Sequence, residues 1–416
     1  MTISRRYFLK SGGIAMLGMA SLPSFLQRAV ASTVSPNKKK MVVLFQRGAM
    51  DGLNVVVPFA EPNYYQIRPT IAIPQPRRGG AEAALDLDGF FGLHPSLQPL
   101  LPLFQKNELA IVQAVGSPDP TRSHFDAQDF MESGTPGVKS TEDGWLNRAL
   151  QVTPGGNHPS PFRAVAFGPY LPRTLQGSVS AVAIPDLKQF KMNGPQDTAQ
   201  GGFEAMYAQT VDQALRGVGH ETFEAIDQLK KVNPDLYEPE HGAAYPKSRF
   251  GQSLIEIAEL FKADVGLEVA FLDSGGWDHH VNEGGVQGQL SNLLRDLGQG
   301  IAAFRQDMGD RMEDVVFVSM SEFGRTAHEN GDRGTDHGHA NCMFVMGGEV
   351  TGGKVYTRWP GLSEGQLHQG RDLAVTTDYR SVLGEIISKH LGDGNLNKVF
   401  PGYANDPREF LGLLKT

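Results

Sequence analysis

The chain has 416 residues, 40% of them apolar and 20% charged, with 49 Gly, 26 Pro and a single Cys. This composition excludes a disordered or collagen-like chain, an internal disulfide and any Cys-x-x-Cys zinc or redox site. A formal charge of −8 argues against a broad phosphate-backbone footprint and so against nucleic acid as a partner, and no apolar run reaches the roughly 18 residues of a membrane span.

Residues 1–31 read as an export signal and stand outside the fold. Ser4-Arg5-Arg6-Tyr7-Phe8-Leu9-Lys10 precedes a short apolar run from Ile14 to Leu26, and Ala29-Val30-Ala31 supplies small residues for cleavage. The paired arginines resemble a twin-arginine signal, a receptor-read address. The expected export partner is therefore the twin-arginine translocase, and the expected location is periplasmic or secreted. That route carries folded proteins, so a metal can be inserted before export. Arg5, Arg6, Lys10 and Arg28 are the charges of this segment, and removing four positives takes −8 to −12 for residues 32–416. The lone Cys342 fits an oxidising compartment.

A Ser/Pro/Lys linker covers 32–40, and the catalytic-type domain is expected over 41–416. A short unbroken apolar run at 41–45 and comparable runs at 109–115, 267–272, 315–320 and 342–346 suit strands buried on both faces. Helical periodicity lies between them: Phe250, Leu254, Ile257, Ala258 and Phe261 share one face, and Val286, Leu290, Leu294, Leu297, Ile301, Phe304 and Met308 share another. The alternation predicts an α/β fold, a mostly parallel sheet with helices on both faces. Residues 151–246 are rich in Gly, Pro and polar residues and read as an irregular insertion or cap, ending in an exposed connection over 233–246.

In such sheets ligands gather at the carboxyl ends of the strands, and polar clusters sit there. Arg47-Gly48-Ala49-Met50-Asp51-Gly52 follows the first run, with Asp51 either a metal ligand or part of an Asp-Gly turn. Thr121-Arg122-Ser123-His124-Phe125-Asp126 follows the second and opens a helix. Ser123 there reads as a helix cap, or as a nucleophile in the positive field of the helix start. Asp273-Ser274-Gly275-Gly276-Trp277-Asp278-His279-His280 follows the third. Extended backbone aims Asp278 and His280 the same way, and a carboxylate with an imidazole suits zinc, iron or manganese better than calcium. Ser321-Glu322-Phe323-Gly324-Arg325 follows the fourth, with Glu322 a ligand or base and Arg325 an anion holder or an internal ion-pair partner. Gly334-Thr335-Asp336-His337-Gly338-His339 precedes the fifth and packs three candidate ligands into four residues.

With these residues in view, the chain resembles the alkaline phosphatase and sulfatase superfamily. More closely it resembles that superfamily's twin-arginine-exported "domain of unknown function" branch. The resemblance covers most of 40–391 and rests on Arg47-Gly48-x-x-Asp51-Gly52, Ser123-His124-Phe125, Gly144-Trp145-Leu146, Gly276-Trp277-Asp278-x-His280, Ser321-Glu322-Phe323-Gly324-Arg325 and Thr335-Asp336-His337-Gly338. It implies one divalent metal on Asp51, Asp336 and His337 and a second on Asp278 and His280, with Ser123 as nucleophile. Zinc or another transition ion is the expected cofactor, as one or two ions. A small phosphate, sulfate or related anionic ester is the expected substrate of a hydrolase or transferase. Two departures stand out. Asn282 occupies the place of the second-site His, and the final His is supplied by His339 or His368. The Cys-x-Pro-x-Arg or Ser-x-Pro-x-Arg signature of sulfatases is missing. The alternative is a non-catalytic periplasmic binding or assembly protein that keeps the fold.

Overall fold

The computed structural model describes residues 39–76, 82–153, 160, 162–187, 237–392, 394–404 and 406–415. The export signal expected over 1–31 and nearly all of the linker lie outside these residues.

The strands in chain order are β1 (Lys40–Gln46), β2 (Val56–Val57), β3 (Leu85–Asp86), β4 (Gly92–Leu93), β5 (Leu109–Gly116), β6 (Ala164–Phe167), β7 (Val182–Ala183), β8 (Val269–Ser274), β9 (Val315–Ser321), β10 (Asn341–Gly347), β11 (Val355–Tyr356) and β12 (Thr377–Asp378). Nine of them form one sheet in the order β11-β5-β10-β9-β1-β8-β6-β7, with β12 also paired to β5. The short β2, β4 and β3 form a separate three-stranded sheet. In the large sheet every pairing is parallel except those of β10, which runs against both β9 and β5. The mostly parallel α/β sheet expected from the apolar runs is therefore present.

The unbroken apolar runs are explained by burial on two sides. In β1, Val42 and Leu44 enter one core cluster while Met41, Val43 and Phe45 enter the other, and all five are fully buried. Burying a side chain of this size contributes about 1.5–3 kcal/mol. Among the described residues five principal helices cover the sheet: α1 (His124–Ser133), α2 (Trp145–Val152), α3 (Arg249–Lys262), α4 (Gln289–Met308) and α5 (Tyr379–Lys389). Helices α3 and α4 bury Leu254, Ile257, Leu294 and Ile301 in the first cluster, and α2 and α5 bury Leu146, Val382 and Ile386 in the second. Their ends follow capping chemistry. Ser248 accepts the Gly251 amide at 3.0 Å, and Asp378 accepts the Arg380 amide at 2.9 Å. Among the described residues no helix is long and apolar enough to cross a membrane.

One expectation differs from the structure. Within the supposed insertion, β6 and β7 extend the main sheet beyond β8. Their four and two residues are too short to announce strands among so many Gly and Pro. The described part of the exposed connection, 237–246, contains no buried residue, and Tyr237 and Tyr245 anchor it by each donating a hydroxyl to the buried Asp307 of α4 at 2.7 Å. Residues 188–236 lie outside the described set.

Candidate metal centre

The carboxyl ends of β1, β5, β8 and β9 meet at one edge of the sheet, and the reversal of β10 brings its leading loop to that same edge. Five polar segments distant in sequence thereby converge. Close backbone approach holds them together. Gly48 has φ of +118°, and a Cβ there would lie 2.8 Å from the Asp278 amide nitrogen. Gly338 lies so near Arg325 that a Cβ would come within 2.3 Å of its carbonyl. That contact accompanies a β-bridge between Arg325 and His337, which aligns the Ser-Glu-Phe-Gly-Arg and Thr-Asp-His-Gly loops.

Four side chains meet there. His124 Nε2 and His280 Nε2 each stand 3.0 Å from His337 Nε2. Asp278 Oδ1 lies 3.0 Å from His280 Nε2 and 3.3 Å from His337 Nε2, and Asp278 Oδ2 lies 3.4 Å from His124 Nε2. The other nitrogen of each ring fixes which one carries the proton. His337 Nδ1 faces the Arg122 carbonyl at 2.9 Å, His124 Nδ1 faces the Glu322 carboxylate at 2.8 Å, and His280 Nδ1 faces Asp336 at 3.0 Å. A carbonyl or carboxylate only accepts, so each Nδ1 donates, and a ring in its neutral form turns an Nε2 lone pair inward. Burial holds His337 below the usual histidine range, which keeps it neutral. The Glu322 hydrogen bond holds His124 above that range.

Neutral rings and a carboxylate facing one another repel unless a proton or a metal ion sits among them. Donors bound at about 2.0–2.1 Å around a tetrahedral zinc stand about 3.3 Å apart, and the ligand atoms of His124, Asp278 and His337 stand 3.0–3.4 Å from one another. The donor set fits a divalent transition ion. The outer partners fit it too, because ligating histidines donate their remaining N–H to carboxylates or carbonyls. Glu322 is itself fixed by the Gly48 amide at 2.8 Å, Gln128 at 2.9 Å and Ser321 at 3.0 Å. Its burial favours the neutral acid, but these donors outweigh that and keep it ionised. The Glu322→Gln variant should lower metal affinity about 10–100-fold with little change in fold, measured by competition with a chelating dye.

Behind Asp278 runs a buried polar chain. Arg325 Nη1 donates to Asp278 Oδ1 at 2.5 Å, its Nε donates to Thr335 Oγ1 at 3.1 Å, and Thr335 Oγ1 donates to Glu283 at 2.7 Å. Glu283 lies beside Asp51, whose carboxylate takes two hydrogen bonds from Arg68 at 2.5 and 2.9 Å. Burial favours a neutral Asp51, but Arg68 outweighs it and keeps it ionised, whereas burial and the Asp51 charge push Glu283 well up. Glu283 Oε1 has no donor partner, so the pair is satisfied when Glu283 carries a proton and gives it to Asp51.

A family model described as "Protein of unknown function (DUF1501)" matches residues 38–393. The chain belongs to the DUF1501 family. The match spans every residue of the centre. No curated protein matches this DUF1501 chain. Among solved structures it is similar to the PsFucS1 sulfatase from Pseudoalteromonas sp., with a TM-score of 0.42 and 13% identity over 94% of this chain and 76% of that one. It is also similar to the lipoteichoic acid synthase LtaP from Listeria monocytogenes, with a TM-score of 0.32 and 10% identity over 79% and 68%. A third likeness is to PH0037 from Pyrococcus horikoshii, with a TM-score of 0.28 and 13% identity over 75% and 86%.

The expected residues of the DUF1501 chain take different places around this cluster. Asp278, His280 and His337 are brought together. Asp336 stands one shell out, orienting His280, because its carboxylate meets the ring's Nδ1. Glu322 likewise orients His124. Asp51 does not face the donors, since Arg68 takes both its oxygens. Arg325 has a fully buried side chain that fixes Asp278, so it is an internal ion-pair partner and not an exposed anion holder. His339 turns to His368 instead, with ring centroids 4.4 Å apart, and burial together with that neighbour pushes it down to about 4. Ser123 is exposed and caps α1 by accepting the Asp126 amide at 3.4 Å. His124 is the donor that sequence reasoning missed. Its signal was present in Ser123-His124-Phe125, but the segment reads first as a helix cap.

Proposed function

We propose that this chain is an exported, metal-dependent hydrolase or transferase acting on a phosphate, sulfate or related anionic ester. The carrying observation is the convergence of the His124 and His337 Nε2 atoms on the Asp278 carboxylate at the carboxyl edge of the sheet, with His280 beside them. Zinc or another transition ion suits these donors. When bound, such an ion polarises an ester oxygen and stabilises charge on attacking and leaving oxygens. His124, His337 and Asp278 would hold it, which leaves a fourth position open, and His280 stands beside His337 and Asp278. Glu322, Asp336 and the Arg122 carbonyl orient the rings, and Arg325 fixes the carboxylate. Ser123 is the proposed nucleophile: its hydroxyl is exposed, adjoins His124 and sits in the positive field of the α1 N-terminus. Attack by Ser123 Oγ would take the phosphoryl or sulfuryl group and release the alcohol, and water or a second alcohol would then receive the group. Export by the twin-arginine translocase to the periplasm or medium rests on Arg5-Arg6 and the apolar run behind them.

Elemental analysis of the mature protein tests the reading. At least one equivalent of transition metal is expected, with release of 4-nitrophenol from its phosphate or sulfate ester. Chelation should lower the melting temperature, because a ligand at 100 times its Kd stabilises by about 2.7 kcal/mol. Metal-free protein that melts identically with and without chelator would overturn it.

One observation favours a second reading, a metal-holding binding or assembly protein without turnover. The Ser123 hydroxyl is engaged as a cap, and the expected anion holder Arg325 is buried. The Ser123→Ala variant separates the two. If Ser123 attacks, turnover falls by about 10³-fold or more while metal content stays. If it only caps, stability falls by about 1 kcal/mol and turnover is unchanged.

A further inference from the structure

A carboxylate in none of the polar clusters read from the sequence stands behind His337. Asp372 has a fully buried side chain, and the backbone around it is tied to loops of the centre. The Ala327 amide donates to the Arg371 carbonyl and the Ala340 amide donates to the Leu373 carbonyl, each at 3.1 Å. Residues 371–373 are therefore pinned both to the segment after β9 and to the segment leading into β10. A turn in which the His368 and Asp372 backbones exchange hydrogen bonds of 2.8 and 3.1 Å completes the support.

Asp372 Oδ2 accepts two hydrogen bonds from Arg122, one from Nε at 3.0 Å and one from Nη2. Nη2 also donates to Gln369 Oε1 at 2.9 Å, so one turn grips the guanidinium. The Arg122 main-chain carbonyl is in turn the acceptor that faces His337 Nδ1 at 2.9 Å. Arg122 lies in irregular backbone just before α1, so no helix or strand ladder places that carbonyl. Its side chain supplies the anchor instead. Charge-assisted hydrogen bonds from a planar guanidinium are strong and directional, and the burial of Asp372 limits competing water. A second arginine joins the same carboxylate to His337. Arg371 Nη2 donates to the His337 carbonyl at 3.0 Å, and its Nε approaches Asp372 Oδ1 at 3.6 Å. Arg371 also acts on Asp336. Burial there opposes the carboxylate charge, and the His280 and Asn330 hydrogen bonds with the nearby positive charges, Arg371 included, outweigh it.

Resting on the metal reading above, we propose that Asp372 is a positioning residue for the centre, acting on His337 through Arg122. A ring held at Nδ1 aims its Nε2 only as well as its acceptor is placed. Fixing the Arg122 carbonyl therefore fixes the atom that faces His124 and Asp278. Asp372 belongs to the support of this donor and not to the ligand set.

The test measures zinc affinity by competition with a chelating dye, and the visible absorption of cobalt(II)-loaded protein, in variants whose folding is checked by melting. Asp372→Ala and Arg122→Ala should each weaken zinc about tenfold, the lower end for an outer partner, and shift the cobalt bands. Arg122→Ala keeps the main-chain carbonyl, so its loss reads the anchor alone. The double variant should be no weaker than the worse single one, because both break one link. Arg122→Lys can still donate to Asp372 and should stay within about threefold of the parent. Asp372→Asn, of the same shape, should show the same cobalt shift with a smaller loss. Arg305→Ala is the control for destabilisation alone. Its 2.8 Å ion pair with Glu108 precedes β5, at the opposite end of the sheet from the centre, and its loss should leave both readouts unchanged. Parental zinc affinity and cobalt bands in both alanine variants overturn the proposal, as do losses that add in the double variant or an equal loss in Arg305→Ala. Parent protein that takes up neither metal overturns instead the metal reading on which the proposal rests, and the parent's own titration tells the two failures apart.

Discussion

Replacing His337 by alanine is expected to empty the centre. His337 Nε2 is the atom that the other donors share, at 3.0 Å from His124 and His280 and 3.3 Å from Asp278. Four-ligand zinc sites bind with about 10–16 kcal/mol, so one ligand accounts for about 3–4 kcal/mol. The His337→Ala variant should then lose about 10²–10³-fold in metal affinity and all metal-dependent turnover. The side chain is a quarter exposed and lies on a loop, so the metal-free variant should melt close to the metal-free parent. The neighbouring Asp336→Ala variant makes the experiment discriminating. Sequence resemblance treats Asp336 and His337 as equal ligands, whereas the structure places Asp336 behind His280. A positioning carboxylate costs about 10–100-fold, so Asp336→Ala should be the milder of the two. Equal losses would restore Asp336 to the metal.

The contrast shows how far the sequence could be read. The strands were legible because Met41–Phe45 and the other apolar runs are buried on both faces, so only Gln113, Glu268 and Ser319 interrupt them. Capping was legible at Ser123, since a cap is a local contact. The antiparallel course of β10 was not, because an apolar run such as 342–346 has no direction. That reversal nevertheless brings the Thr-Asp-His-Gly loop to the edge where the other clusters lie. Roles within the clusters were the least legible. Whether a carboxylate meets a metal or an arginine depends on what fills the space behind it. Arg68, the partner that takes Asp51, sits 17 residues away in an unremarkable Ile-Arg-Pro context. His124 was hidden for the converse reason: its neighbour Ser123 had a sufficient local explanation, and the ring's partners Glu322 and His337 are about 200 residues distant.

Asp51 decides between these two levels of reading, and its substitution should act on stability rather than on metal. Arg68 is fully buried, Asp51 is 2% exposed, and the guanidinium also donates to the Thr326 and Ala327 carbonyls and to Asn54. Removing one member of a buried ion pair leaves the other uncompensated and costs about 3–5 kcal/mol. Asp51→Asn and Arg68→Met should each show that loss in chemical denaturation, while the folded fraction keeps its metal. If Asp51 were a ligand, Asp51→Asn would lose metal at least as severely as Asp278→Asn. Glu283→Gln supplies the control, since its amide can donate to Asp51 and still accept from Thr335. Its cost should stay within about 1 kcal/mol. The pH dependence has a definite sign. Glu283 holds its proton more tightly folded than unfolded, so wild-type stability should decline as pH rises above the unfolded value of about 4.3 toward the raised folded value. The Glu283→Gln variant has no such proton and should lose less stability over that interval. An identical decline in both would show that Glu283 is ionised beside Asp51, and the buried chain behind Asp278 would then need another source for its proton.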